Sequence, residues 1–375
     1  MSGPVRIAFP LIGGGHQAYH TVPVACALSQ RPGVEVVVFA GDSTVRAVAE
    51  EIAGNLPGST VRFSELRRSK LADGLGSLLG KSSLGKEPML WRNRRELGAF
   101  DAIVTPEVTS SRLRSMGVTS PKFICIPHGA GDRAVSFEPR FQRFDRLLVA
   151  GDKTARRLEE SGVRPDRLRI TGYPKAEYVL RVAASRPPLF ANDRPTVLYN
   201  PHFLGRLSSL GQAEAIARAI IEQTEFNLVL APHIRAFEDA DASTRARWQA
   251  LAIPGRVIVD TGSEKLIDMS YTAAADIYLG DVSSQVYEFL LLGLRPCVFV
   301  DAHQVDWRDD PDYAFWRLGD VVSPGDAAAA CQQARARHAD YRVAQEMAVA
   351  ETFSPTAGAA ARAADEILAC VAGGA

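Results

Sequence analysis

The feature that most restricts this chain is a repeated alternation of short apolar runs with longer mixed ones. Runs at 5–10, 34–40, 61–63, 102–104, 122–126, 144–150 and 167–170 read as strands, and stretches such as 19–30, 43–52, 110–116 and 155–161 read as helices. Parallel strands need a crossover between them, usually a helix, so this alternation predicts parallel sheets. The pattern halts at 186–195, where Arg186-Pro187-Pro188, Asn192-Asp193 and Pro195 read as a linker. It restarts with strands at 196–199, 227–231, 256–259, 277–279 and 297–300, and two helices, 327–351 and 355–372, close the chain. The expectation is an α/β protein of two halves, with parallel sheets facing across a cleft. Its parts are residues 1–185, residues 186–352 and a C-terminal helix within 353–375 placed to pack back on the first half.

Composition excludes several classes. Lysine plus arginine equals aspartate plus glutamate at 43 each, so nothing pulls the chain as a whole toward nucleic acid. The five cysteines, Cys26, Cys125, Cys297, Cys331 and Cys370, have no metal-type spacing and read as buried thiols of a reducing compartment. There is no signal-like start, and no apolar run approaches the ~20 residues that span a bilayer. A cytoplasmic protein is expected.

Chemistry-bearing residues collect just after the strands. Residues 275–279 lead into Gly280-Asp281-Val282-Ser283-Ser284, and an apolar helix is expected over 286–294. Ser283 or Ser284 would cap that helix, and unpaired N–H groups at a helix start favour an anion. The same residues also suit an ordinary capped helix with no ligand. Pro232-His233-Ile234-Arg235 and Pro127-His128-Gly129 each place a histidine past the end of a strand, where ligands sit in open α/β sheets. Gly13-Gly14-Gly15-His16 follows the first strand without the spacing of a dinucleotide fingerprint or a P-loop lysine. It reads either as a close backbone approach to a ligand or as a tight packing turn.

Residues 67–95 break the pattern with eight basic side chains against Asp73 and Glu87, and with Leu78, Leu79, Leu90 and Trp91 among them. Such a segment suits peripheral contact with an anionic membrane on its inner face. It equally suits an excursion packed on its own domain.

The run 280–289 resembles the aspartate-aromatic-Ser-Ser motif of the CDP-glycerol glycerophosphotransferases, the teichoic-acid primases and polymerases. His128-Gly129 resembles their His-Gly-Thr, Pro232-His233 their strand-end Pro-His, Gly172-Tyr173-Pro174-Lys175 their Gly-Tyr-Pro-Arg, and Tyr199-Asn200-Pro201 their Tyr-Ala-Pro. Ala130, Lys175, Val282 and Glu288 depart from that pattern, and the first 120 residues carry no match. The resemblance implies a GT-B fold of two Rossmann-like domains. It also implies transfer of a glycerol-phosphate-type group from a CDP-activated donor to a hydroxyl of a glycan or lipid-linked acceptor. His128 would be the base, and His233, Arg235, Ser283 and Ser284, with Asp281, Pro232 and Glu288, the donor site. Gly14, Gly15 and Gly129 would lie on the acceptor side. No cofactor or metal is required. The alternatives are a GT-B glycosyltransferase using a UDP-sugar with His16 as base, a non-hydrolysing UDP-sugar epimerase, and a non-catalytic nucleotide-binding protein.

Overall fold

A computed structural model describes residues 3–68, 85–129, 139–237 and 240–373. The chain divides into two compact units, the first taking residues up to 129, 139–181 and the stretch from 351, the second running from 182 to 350.

The first unit is built on β1 (Val5–Leu11), β2 (Val34–Ala40), β3 (Arg62–Glu65), β4 (Ala102–Thr105), β5 (Lys122–Cys125), β6 (Arg146–Val149) and β7 (Leu168–Ile170). They form one sheet in the order β3-β2-β1-β4-β5-β6-β7, parallel at every pairing. β1 and β2 run in register from Val5↔Val34 to Leu11↔Ala40. Pro10 is tolerated in this central strand because the β1–β4 ladder has already ended at Ala8↔Ile103. Helices cover both faces of such a sheet, so its strands are apolar on both sides rather than alternating. The C-terminal helix Ala359–Val371 packs on helix His16–Ser29. The Glu177 carboxylate accepts from the N–H groups of Gly358 and Ala360 at 2.9 and 2.8 Å, supplying the cap that this helix lacks in its own sequence. Gly172, at φ +92°, lies so close to this segment that a Cβ would stand 2.9 Å from the Pro355 carbonyl oxygen.

The second unit repeats the plan with β8 (Thr196–Asn200), β9 (Asn227–Leu230), β10 (Val257–Val259), β11 (Ile277–Gly280), β12 (Cys297–Val300) and β13 (Asp320–Val322). Their order is β10-β9-β8-β11-β12-β13, again all parallel. In both sheets the chain works outward from the first strand, then returns to its other side. The reversal points lie between β1 and β4 and between β8 and β11. Crevices at the carboxyl ends of such strand pairs are where doubly wound sheets bind ligands.

Several expected helices differ. The stretch 327–351 is two helices, Ala327–Arg337 and Arg342–Thr352, with a 3-10 turn between them at His338–Asp340. The stretch 110–116, expected as a helix, is the 3-10 helix Thr109–Met116. Of the basic segment 67–95, residues 69–84 lie outside the described residues. The remainder folds as helix Lys86–Leu97, with Leu90 fully buried in the core of the first unit. Leu90, expected in a segment suited to membrane contact, is therefore not available to touch a membrane. Trp91 stays half exposed under the Arg94 guanidinium, 3.6 Å from the ring centroid. Among the described residues no helix is long and apolar enough to cross a membrane.

Candidate functional site

In the first unit the reversal point gathers histidines. β1 ends in the glycine loop, and His16 opens the following helix with Gly15 as its N-cap residue. The loop is folded onto that helix. The Gly13 N–H donates to Gln17 Oε1 at 2.9 Å, and a Cβ on Gly13 would collide with the Gln17 side chain. Gly13 thus serves packing, whereas Gly14 is exposed. His128, also exposed, stands beyond β5 with its ring centroid 5.3 Å from that of His16. Gly129 follows at φ +89°.

A third histidine, to which the sequence reading gave no role, lies one helical turn after His16. His20 is buried, with its ring 6.3 Å from His128 and 5.4 Å from Tyr173. Burial, reinforced by Lys175 and the other two histidines, holds its pKa well below 6.5, so it is neutral at pH 7. The i, i+4 spacing of His16 and His20 was the available signal.

The tautomer of His128 follows from its partner. Nδ1 lies 2.6 Å from the Pro106 carbonyl oxygen. A carbonyl only accepts, so Nδ1 carries the proton and the neutral ring presents a lone pair at Nε2. Glu107, which follows Pro106 in the chain, is committed elsewhere. It takes hydrogen bonds from Thr105 Oγ1 at 2.8 Å, the Thr109 N–H and the Ser110 N–H and hydroxyl, capping the 3-10 helix Thr109–Met116.

In the second unit the corresponding point is held together by Asp281. Its carboxylate accepts from His202 N–H at 2.8 Å, Val282 N–H at 2.7 Å, Ser209 N–H at 2.7 Å and Ser209 Oγ at 2.9 Å. Burial nevertheless pushes the group up to about 6. Asp281 was expected to touch the donor. It is instead turned inward, tying the loop after β8 to the turn after β11. Trp316 donates its indole N–H to the Asp281 carbonyl at 2.9 Å.

The Ser-Ser turn is also more inward than expected. Ser283 is buried, and its Oγ accepts from Gln285 N–H at 3.4 Å. Ser284 occupies the cap position without a side-chain cap bond, and is the more exposed of the pair. The helix it opens, Gln285–Leu291, is shorter than expected and carries Glu288 as a buried side chain. Behind the turn, the Arg295 guanidinium donates to the carbonyls of Thr272 at 3.0 Å, Ala273, Ala275, Phe289 at 2.6 Å and Gly293 at 3.2 Å, over the Phe289 ring. Burial lowers its pKa to about 10, which leaves it charged at pH 7.

The ends of β8 and β9 supply a stack of rings. The centroid separations are 4.5 Å for His202–Phe203, 4.7 Å for Phe203–His233 and 5.2 Å for His202–His233. The Arg235 guanidinium lies 4.4 Å from the Phe203 centroid and is exposed. Pro232 is buried, and the His233 N–H donates to the Pro201 carbonyl at 2.9 Å, fixing this corner. His233 Nδ1 accepts from the Arg235 N–H at 3.2 Å. The neutral ring therefore carries its proton at Nε2, opposite to His128. His202 and Phe203 had been assigned no role. Their signal was Pro201-His202 after a strand, which parallels Pro232-His233.

No protein-family model matches the chain, and no curated protein matches it in sequence. Solved structures do resemble it. UDP-GlcNAc 2-epimerase of Neisseria meningitidis, bound to UDP-GlcNAc, superimposes with a TM-score of 0.63 at 13% identity, covering 97% of this chain and 99% of that one. Staphylococcus aureus MnaA with UDP gives 0.64 at 13% identity, covering 97% and 96%. Anabaena HepE with UDP and glucose gives 0.51 at 13% identity, covering 98% of each chain. The fold is GT-B. At these identities the likeness establishes the fold and no more.

Proposed function

We propose that the chain is an enzyme acting on UDP-activated sugars, transferring the sugar to a hydroxyl acceptor. The observation that carries this reading is the opposite tautomers of its two strand-end histidines. His233, whose ring carries its proton at Nε2 and which stands beside the exposed Arg235, is assigned to a phosphate oxygen of the donor. His128, with a lone pair at Nε2, suits a proton acceptor. In the proposed step the acceptor oxygen bonds to the anomeric carbon as the bond from that carbon to the UDP oxygen breaks. The acceptor proton passes to His128 Nε2, and UDP leaves with the electron pair. Ser284 and the Phe203 ring are the further contacts assigned to the nucleotide, and Gly14 and Gly129 to the acceptor. The support for uridine is the set of ligands named in the neighbouring structures: UDP-GlcNAc, UDP, and UDP with glucose. The CDP-glycerol donor implied by the sequence resemblance gains nothing from them.

A second reading, epimerisation of a UDP-sugar, is favoured by the higher TM-score to the Neisseria meningitidis epimerase, 0.63 against 0.51 for HepE. One experiment separates the readings. Thermal shift is measured with UDP-GlcNAc, UDP-glucose and CDP-glycerol, and the products are then followed by proton NMR. Stabilisation by a UDP-sugar, with free UDP released only when a hydroxyl acceptor is supplied, is the expected result. Conversion between two UDP-sugars without UDP release would establish the second reading. Stabilisation by CDP-glycerol alone would overturn both.

A further inference from the structure

The second unit holds a cavity of about 670 Å³ along its edge strand β13, distinct from the ring stack at the ends of β8 and β9. That volume lies within the ~300–1,000 Å³ of typical small-molecule sites. Its walls combine aromatic rings with arginines: Trp307, Arg308, Trp316, Arg317, Arg337 and Tyr341. Trp307 and Trp316 meet edge-on at 5.9 Å, and the Arg308 guanidinium stands 5.0 Å from the Trp307 centroid. Arg308 and Arg317 are both exposed.

The acidic groups in the wall are already engaged. Asp320 is buried, and its Oδ1 accepts from Arg337 at 2.8 Å and from the Tyr341 hydroxyl at 2.6 Å. Asp301 Oδ1 accepts from the N–H groups of His303 and Val305, both at 3.2 Å. What the cavity offers an occupant is therefore the half-buried Trp307 indole, Trp316 being only 2% exposed, and the exposed guanidinium groups of Arg308 and Arg317, the latter also donating to the Arg308 carbonyl. Indole faces receive the C–H face of a sugar or a flat ring, and guanidinium forks pair with phosphate or carboxylate.

We infer that this cavity is a second ligand site, for a small molecule in which a sugar ring bears a phosphate or carboxylate. The site is independent of the donor reading, since none of its wall belongs to the strand-end histidines. It stands next to the donor turn through Trp316, whose indole lines the cavity and donates to Asp281.

The test is titration of the intact protein, read by tryptophan fluorescence, with glucose 1-phosphate, glucuronate, glucose and inorganic phosphate as separate arms. Saturable quenching is expected with glucose 1-phosphate or glucuronate, the stronger arm identifying the anion. Affinity should be at least about tenfold tighter than for glucose or phosphate alone. The double variant Arg308→Ala/Arg317→Ala should weaken that binding about tenfold or more while its thermal unfolding is unchanged, because both side chains are exposed. Absence of saturable binding in every arm would overturn the proposal. So would binding that survives the double variant, or phosphate alone binding as tightly as the sugar anions.

Discussion

Replacing Asp281 with asparagine tests the account of the turn after β11 most sharply. All four partners of the carboxylate are donors, two on each oxygen. Asparagine keeps one oxygen for His202 and Val282, but sets its NH2 against the Ser209 N–H. A buried donor left without an acceptor costs about 1–3 kcal/mol. The charge adds an opposite effect. The folded carboxyl titrates at about 6 against 3.8 when unperturbed. Between those values the native state holds a proton that the unfolded state has released. Stability from this group is therefore complete below the unfolded value and is lost as pH rises through the folded one, by roughly 3 kcal/mol in all. Asparagine has no such loss. The variant should be less stable than the parent near about pH 4 by the full 1–3 kcal/mol, and the deficit should shrink or reverse by about pH 8. Urea unfolding read by tryptophan fluorescence measures this, since three of the four tryptophans, Trp248, Trp307 and Trp316, lie in the second unit. A deficit that grows with pH would refute the reasoning, because it would mean that the four donors outweigh burial and depress the carboxyl instead.

His20 predicts the reverse slope in the first unit. Its folded pKa lies below 6.5, so stability is lost as pH falls through 6.5, and His20→Phe should flatten that part of a thermal-midpoint profile against pH. His128→Ala should lower turnover by about 10²–10⁴-fold with UDP affinity kept, as removal of a base does. His233→Ala should weaken UDP binding in calorimetry, and unchanged affinity there would remove it from the donor site.

Much of the fold was legible because strand patterning is local. The run at 34–40 matches β2 (Val34–Ala40) at both ends, and the linker prolines stop one set of strands and start another. Strand order was not legible, since it depends on which apolar faces meet. For the candidate site, residue type and position after a strand singled out His16, His128 and His233 as candidates. The roles were not readable. Which ring nitrogen holds the proton is decided by a carbonyl in one case, Pro106, and an N–H in the other, Arg235. Asp281 looked outward in the sequence because it begins a turn. It points inward because three loop N–H groups and the Ser209 hydroxyl have no other acceptor so near. The helix at 286–294 was expected too long because Leu292 and Leu294 continue its apolar run, while Gly293, at φ +154°, ends it.

Arg295 has a dynamic consequence. One side chain collects carbonyls from the ends of Ser270–Ala274 and Gln285–Leu291. Neither helix can fray at that end without stranding a charge that the other still surrounds. The motions of the two are thereby coupled, and the amides of the turn after β11 should exchange with solvent as one cooperative block rather than one at a time.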